Sequence, residues 1–134
     1  MDIDLARRRV HSARIARLGT VTENGRAHVV PCCFVLLGDV VYTAVDAKPK
    51  STLALRRIAN IVARHSACLL IDHYEEDWSS LWWVRLDGTG RLVDSEDESY
   101  AAKRALAEKY SQYRDLAIPG PVIGLDVETW RSWP

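Results

Sequence analysis

Two lysines and two hydroxyl residues lie together where a predicted strand ends and a predicted helix begins: Lys48, Lys50, Ser51 and Thr52. The chain contains only four lysines, so half of them are in this stretch. Serine and threonine are favourable at the start of a helix, where unpaired backbone N–H groups and the helix dipole attract anions. The stretch is therefore a candidate phosphate site, although it lacks the glycine-rich loop of a Walker motif. The alternative is a solvated loop followed by an ordinarily capped helix.

The rest of the chain offers no second set of catalytic residues. The histidines, His11, His28, His65 and His73, are far apart in sequence, and strand alternation sends Asp72 and His73 to opposite faces. Neither an HExxH motif nor a serine nucleophile elbow is present. We therefore predict no metal site and expect any catalysis to depend on a bound cofactor.

The three cysteines, Cys32, Cys33 and Cys68, form neither a CxxC pair nor an even disulfide framework. Cys32 and Cys33 are adjacent in a predicted strand, so their side chains should point to opposite faces. We expect all three to be reduced and to act as small apolar side chains.

Length and composition predict a single domain over residues 1–134. Hydrophobic residues make up 48% of the chain, which excludes a disordered protein, and the formal net charge is zero. A neutral chain gives no support to a general nucleic-acid or membrane-surface role. No apolar run is long enough to span a membrane and the N-terminus lacks a signal-peptide layout, so we expect a cytoplasmic protein without nucleic-acid or membrane partners.

Apolar periodicity and turn signals predict an α+β fold with the order α-β-β-β-α-β-β-α-β. The predicted helices span residues 2–12, 51–65 and 95–110, and the predicted strands span residues 15–21, 27–37, 40–45, 67–73, 80–93 and 122–130. Asn24-Gly25 indicates a hairpin turn, Pro31 an edge or a bulge, and Gly88-Thr89-Gly90 a bulge or bend. Six or so mostly antiparallel strands with flanking helices are typical of a small β-barrel.

Further expectations concern where the side chains point and how a helix begins. In the helix after the lysines, the periodicity sends Leu55, Ile58, Ile61 and Val62 inward and Arg56, Arg57 and Asn60 outward. The strand over residues 67–73 is almost entirely apolar, which predicts burial on both faces. The sequence Ser95-Glu96-Asp97-Glu98 has the form of a capping box at the start of the next helix.

Tryptophan is the most distinctive residue type, with five copies against a single phenylalanine. Trp82 and Trp83 are neighbours in a predicted strand and must point to opposite faces. Core packing accounts for one of them. The other indicates a covered outer surface, which is either a subunit interface or a site for a planar ligand, with the interface favoured.

Five segments together resemble a known family. They are residues 43–50 (TAVDAKPK), 55–57 (LRR), 60–61 (NI), 70–79 (LIDHYEEDWS) and 81–85 (LWWVR). The sequence is similar to the coenzyme F420-dependent oxidoreductases of actinobacteria that belong to the pyridoxamine 5′-phosphate oxidase class. The resemblance extends from the strand at residues 16–21 to the Trp130-Arg131-Ser132-Trp133 ending.

The resemblance implies a split β-barrel homodimer with two cofactor sites at the subunit interface. It places Lys48, Lys50, Ser51 and Thr52 at the cofactor phosphate, with Arg56 as an additional contact. The deazaflavin ring would lie over the second and third strands near Val30, Pro31 and Cys32, and Trp78 and Ser79 would approach the site from the partner subunit.

The implied activity is hydride transfer between reduced coenzyme F420 and an unidentified unsaturated or conjugated organic substrate. Three alternatives remain open at this point. The same fold could bind FMN as an oxidoreductase, it could carry or sequester the deazaflavin without turnover, or it could be a structural dimer that binds neither cofactor.

Overall fold

The computed structural model describes residues 1–44, 52–115, 118 and 120–134, and of residues 52–55 and 115 it describes the backbone alone. The helices are α1 (Ile3–Ser12), α2 (Thr52–Ala63), α3 (Glu96–Lys109) and α4 (Gln112–Asp115). The strands are β1 (Ala16–Val21), β2 (Ala27–Cys32), β3 (Val35–Leu37), β4 (Val40–Ala44), β5 (Ser66–His73), β6 (Trp82–Leu92) and β7 (Val122–Trp133). A short 3₁₀ helix (Trp78–Ser80) lies between β5 and β6. No helix of the described ranges is both long and apolar enough to cross a lipid bilayer.

One curled antiparallel sheet of seven strands forms the centre of the fold, in the order β2-β1-β5-β6-β7-β4-β3. Its two edge strands, β2 and β3, are separated in sequence only by Cys33 and Phe34. The sheet must therefore curl until its edges come close together, which gives the α+β split barrel that the sequence predicts. Pro31 lies in the edge strand β2, as expected for a residue that cannot donate to a sheet ladder.

The prediction of one continuous strand over residues 27–37 is wrong. The chain leaves one edge of the sheet after Cys32 and enters the other at Val35. Phe34 fills the core at this corner, and its carbonyl oxygen accepts hydrogen bonds from Lys109 Nζ at 2.9 Å and Tyr110 Oη at 3.2 Å. Burial lowers the pKa of Lys109 to about 8. The end of α3 thus fastens the connection between the two edges.

Strand β5 shows that only one face of the sheet packs against the hydrophobic core. Ala67, Leu69 and Ile71 are buried, whereas the alternate residues Cys68 and Leu70 are half-buried. The prediction that this strand is buried on both faces is therefore wrong for the chain by itself. In an antiparallel sheet covered on one side, alternation decides burial even when every residue is apolar.

Helix α2 packs on the sheet with a face rotated from the predicted one. Ile61 is fully buried and Ile58 is partly buried, as expected, but Val62 is 56% exposed. Asn60 was predicted to face outward and is instead 3% exposed, where its side-chain amide donates to Thr20 Oγ1 at 3.1 Å. Because this polar pair is satisfied, Asn60 can be buried where periodicity favoured an apolar residue.

The bulge predicted around Gly88 is confirmed by the pairing of β6 with β7. Asp87 pairs with Thr129 and Gly88 pairs with Val127, so Glu128 has no partner across the ladder and the register shifts by one residue. Strand β6 begins at Trp82 rather than residue 80 because the 3₁₀ helix occupies Trp78–Ser80, and β7 extends to Trp133. The short helix α4 was not predicted.

The capping box at the start of α3 is half formed. Ser95 Oγ accepts a hydrogen bond from the Glu98 N–H at 3.3 Å. The Glu98 carboxylate accepts from Arg91, at 2.7 and 2.9 Å, and from the Tyr42 hydroxyl at 2.6 Å. Arg91 also donates to Asp126, so this cluster joins α3 to three strands of the sheet.

We expect Glu98→Gln to lower the free energy of unfolding at pH 7 by about 1 kcal/mol, since charge-assisted hydrogen bonds are lost at a partly exposed site. The Arg91 guanidinium lowers the pKa of Glu98 from 4.5 to about 2. This stabilisation is fully present above pH 4.5 and is lost as the pH falls from 4.5 towards 2. Denaturant unfolding at pH 7 and pH 3 should therefore show the gap between wild type and variant closing in acid. Glu96→Gln, in the same helical turn, controls for the helix dipole, and an equal gap at both pH values would contradict the assignment.

Candidate functional site

The lysine stretch, residues 48–52, is described only in part. Lys48, Lys50 and Ser51 lie outside the described residues, and Thr52 is the first residue of α2 with its backbone alone described. Helix α2 does begin where the sequence predicted, directly after this stretch. The roles of these four residues at a phosphate stay predictions.

A cleft of about 750 Å³ lies between α2 and the turn that joins β1 to β2. Its lining comes from one side of the helix and from the turn: Thr22, Glu23, Asn24, Arg56, Ala59, Asn60 and Ala63. Arg64 closes one end by donating to the Glu23 carbonyl oxygen at 2.9 and 3.2 Å. Arg56 is exposed, as predicted, and gives the cleft a positive charge.

Fewer side chains of the edge strand β2 are available to contact a ligand here than the resemblance implies. Val30 and Cys32 point into the core and are each 6% exposed, whereas Pro31 is exposed on the opposite face. A ring near these residues would therefore meet the backbone of the edge strand. Burial raises the pKa of the Cys32 thiol to about 11, so this sulfur is a neutral thiol and not a nucleophile at neutral pH.

Two buried side-chain nitrogens near the β2 edge have no hydrogen-bond partner among the described residues, Arg57 Nε and His28 Nδ1. His28 is directly opposite Thr20 in the β1–β2 ladder, and Thr20 accepts the hydrogen bond from Asn60. Arg57 lies one helical turn before Asn60, and its positive charge opposes the effect of burial on the pKa of Cys32. His28, Thr20 and Asn60 are thus neighbours where α2 packs on β1.

Sequence reasoning missed both unpaired residues. Arg57 was assigned to the solvent face of α2, and His28 was read as an ordinary strand residue. The available signal was the spacing of Arg57, Asn60 and Ile61, which share one helical face. Buried polar nitrogens are nearly always paired, so these two are exceptional among the described residues.

Trp78 and Ser79 lie at the opposite end of β5 from α2. Helix α2 ends just before Ser66, the first residue of β5, whereas the 3₁₀ helix follows His73, its last residue. A strand of eight residues separates the two ends by about 25 Å. Within one chain, the described geometry therefore does not bring Trp78 and Ser79 together with Arg56.

The 3₁₀ helix nevertheless has an ordered start. Asp77 accepts from the Ser79 N–H at 3.1 Å and from the Ser79 hydroxyl at 2.6 Å, and these bonds lower the pKa of Asp77. Trp78 is 69% exposed, and its indole N–H donates to the Tyr74 hydroxyl at 3.4 Å. A large aromatic side chain is thus presented to the surroundings from a defined turn.

The two adjacent tryptophans of β6 point to opposite faces, as predicted. Trp82 packs against the core and stacks on His73, with ring centroids 5.9 Å apart. Trp83 lies on the outer face, where it is paired across the ladder with Trp133, which is 50% exposed. The same outer face contains a groove of about 490 Å³ that runs beside Gly19, Cys68 and Asp87.

Metal-ligating side chains do not cluster in the part of the chain that the structure describes. No group of three or more His, Cys, Asp or Glu residues there could hold a metal ion. The charged residues that line the cleft are Arg56 and Glu23. Arg56 fits a ligand with an anionic group, such as a phosphorylated cofactor.

Comparison with solved structures supports the fold. A conserved hypothetical protein of Mycobacterium tuberculosis superposes with a TM-score of 0.79 at 15% identity, covering 99% of this chain and 84% of that one. A FAD-binding protein of Mycobacterium smegmatis gives 0.68 at 16% identity, with 99% and 93% covered. The heme storage protein of Vibrio cholerae gives 0.72 at 16% identity, with 98% and 91% covered. At these identities the likeness is one of fold.

The sequence itself was compared with protein families and with curated proteins. No curated protein matches the chain. The family model described as pyridoxamine 5′-phosphate oxidase matches residues 4–134, which is nearly the whole sequence. The chain therefore belongs to the pyridoxamine 5′-phosphate oxidase family.

Proposed function

We propose that the protein is a coenzyme F420-binding oxidoreductase that transfers a hydride between this deazaflavin and a conjugated organic substrate. The observation that supports it best is that α2 begins directly after the lysine stretch and presents Arg56 to the adjacent cleft. A ligand at this place would offer negative charge to the start of the helix and to Arg56.

In this proposal, Lys48, Lys50, Ser51 and Thr52 hold the cofactor phosphate. Backbone N–H groups at the start of a helix, together with lysine side chains, are a common way to bind phosphate. Arg56 adds charge from the side of the cleft, four residues into α2. The bound deazaflavin supplies hydride chemistry from its C5 position, so the chain has to bind, orient and shield the ring.

The ring in this proposal lies against the edge of β2, near Val30, Pro31 and Cys32. The buried Val30 and Cys32 side chains stiffen the strand from the core side, while the backbone faces the ligand. Because the Cys32 thiol is neutral, it adds no competing charge beside the ring. No described residue is assigned as the proton donor, and solvent supplies the proton.

We also propose a homodimer in which the site is completed by a second copy. Trp78 and Ser79 lie at the far end of β5 from α2, so they can reach the cleft at α2 only from another chain. The outer face supports this arrangement, since Val29 is 64% exposed and Trp133 is 50% exposed beside the half-buried Trp83. Exposed aromatic and aliphatic side chains on one face of a sheet are typical of subunit interfaces.

A flavin is the second candidate cofactor. A protein of the same fold from Mycobacterium smegmatis is described as FAD-binding, and Arg56 with the lysine stretch would accept a flavin phosphate equally well. A heme storage protein also has this fold, so a carrier that binds a cofactor without turnover is a further alternative.

Titration of the purified protein with oxidised coenzyme F420 and with FMN tests the proposed function. We expect micromolar or tighter binding of the deazaflavin, weaker binding of FMN, and quenching of tryptophan fluorescence from Trp78 in the dimer. A Trp78→Phe variant should lose most of this quenching while it still binds. Binding of FMN alone would move the protein to the flavin oxidoreductases, and binding of neither would refute the proposed function.

A further inference from the structure

A second cleft, of about 420 Å³, lies between helix α1 and the turn that joins β3 to β4. It is lined by Arg7, Arg8, His11, Ser12, Leu36 and Gly38. It shares no lining residue with the cleft at α2 and contains none of the residues that we propose for the cofactor. A cleft of this volume is within the range that small organic ligands occupy.

The two walls of this cleft are connected by hydrogen bonds and an ion pair. The Arg7 guanidinium donates to the Gly38 carbonyl oxygen at 3.1 Å and forms an ion pair with Asp39. It also lies over the Trp130 ring, 4.7 Å from the ring centroid. The Asp39 carbonyl oxygen accepts from the Val127 N–H at 2.9 Å, so the turn is held to β7. Helix α1 and the turn therefore keep a fixed separation, as a preformed binding site requires.

The ionisable side chains that line the cleft are all basic. Arg7 is paired with Asp39, but Arg8 and His11 form no ion pair with any residue in the described ranges. Arg8 and His11 are exposed and lie three residues apart, so they point to the same side of α1. The buried Leu36 adds an apolar surface to the opposite wall. The cleft thus combines unpaired N–H donors with an apolar wall.

The helix dipole does not account for this arrangement. It favours basic residues in the last turn of α1, where His11 lies, but Arg8 comes before that turn. The dipole would also repel an anion at this end of the helix. That effect is reduced here because the Ala13 N–H bonds to the carbonyl oxygens of Arg9 and Val10, at 3.1 and 3.3 Å.

We propose that this cleft binds a small organic anion in which a carboxylate or phosphate ester is attached to an apolar group. Arg8 and His11 donate hydrogen bonds to the anion, and such charge-assisted bonds are stronger than neutral ones. The apolar group lies against Leu36 and the turn at Gly38. This site goes beyond the proposed function, because it lies on a different helix and does not require a bound cofactor.

The test uses two fluorescent probes with the same apolar body. 8-Anilinonaphthalene-1-sulfonate carries an anionic group, and N-phenyl-1-naphthylamine lacks it. In fluorescence titrations of the purified protein, the dissociation constant of the sulfonate should rise about fivefold in Arg8→Gln and about twentyfold in Arg8→Gln/His11→Gln. The neutral probe should bind the wild type and both variants with equal affinity.

Three further variants serve as controls. Arg104→Gln removes an exposed arginine from α3 and should leave both dissociation constants unchanged. Lys48→Ala/Lys50→Ala should also leave them unchanged, which separates this cleft from the proposed phosphate site. Ser12→Trp places a large side chain in the cleft and should weaken the binding of both probes.

Several results would overturn the assignment. A wild-type protein that does not bind the sulfonate would do so, as would an unchanged affinity in Arg8→Gln or an equal loss in Arg104→Gln. A loss in Arg8→Gln that extends to the neutral probe would show that the charge is not what binds. Unchanged binding of both probes by Ser12→Trp would place them elsewhere on the protein. The proposed function stands in each of these cases, since its own test is the cofactor titration.

Discussion

Gly88→Ala should destabilise the protein by about 3 kcal/mol or more, which is the largest effect we expect from a single methyl group in this chain. A Cβ at residue 88 would overlap the carbonyl oxygen of Asp126 and lie 3.2 Å from Val127 Cα. These are backbone atoms of the neighbouring strand, so no side-chain rotation relieves the overlap. Strands β6 and β7 would have to separate at the bulge, in the longest ladder of the sheet.

The measurement is a denaturant titration followed by tryptophan fluorescence. Gly124→Ala provides the matched control, because its Cβ would meet Val93 Cγ2 at 3.4 Å and Arg91 Cζ at 3.5 Å, which are ordinary contacts with side chains. The control should change the unfolding midpoint little. A Gly88→Ala protein with an unchanged midpoint would show that the two strands can adopt another register at the bulge.

The elements of this fold were largely predictable because their signals are local. The hairpin at Asn24-Gly25, the bulge at Gly88 and the Ser95 cap depend on residues a few positions apart. The division of residues 27–37 into two strands depends instead on a long-range event, the passage of the chain from one sheet edge to the other around Phe34. No local pattern around Cys33 marks that passage.

The sequence analysis predicted side-chain orientation wrongly where a polar residue pairs with a partner that is distant in sequence. Asn60 is buried because Thr20, forty residues earlier, accepts its hydrogen bond. The burial of β5 was overestimated because an apolar run does not reveal whether the second face of a sheet is covered. In a homodimer of the kind we propose, that second face is the one available to a partner.

The candidate site divides in the same way. Its phosphate-binding stretch was identified from the sequence because lysines and helix-start residues are contiguous there. Asn60 and Thr20 come from different elements and are brought together only by the packing of α2 on β1. The distance between Trp78 and α2 within one chain likewise depends on the fold and could not be predicted from local sequence. This distance is the reason for proposing that Trp78 reaches the site from a second subunit.

The Lys48→Ala/Lys50→Ala double variant should lose about a hundredfold in affinity for coenzyme F420, since each charge-assisted phosphate contact contributes about 1 to 3 kcal/mol. Both lysines precede the first residue of α2, where backbone N–H groups remain available, so binding should be weakened and not abolished. Titration at two salt concentrations adds a second criterion, because the wild-type affinity should fall with added salt more steeply than that of the variant.

Lys103→Ala serves as a control for that variant, since it removes one lysine charge from α3, a helix that packs on β3, β4 and β7. Its affinity should equal that of the wild type, and the melting temperature of the double variant should stay close to that of the control. An unchanged dissociation constant in the double variant would remove both lysines from the site. The cofactor phosphate would then have to be held by other groups, such as Arg56 and the backbone N–H groups at the start of α2.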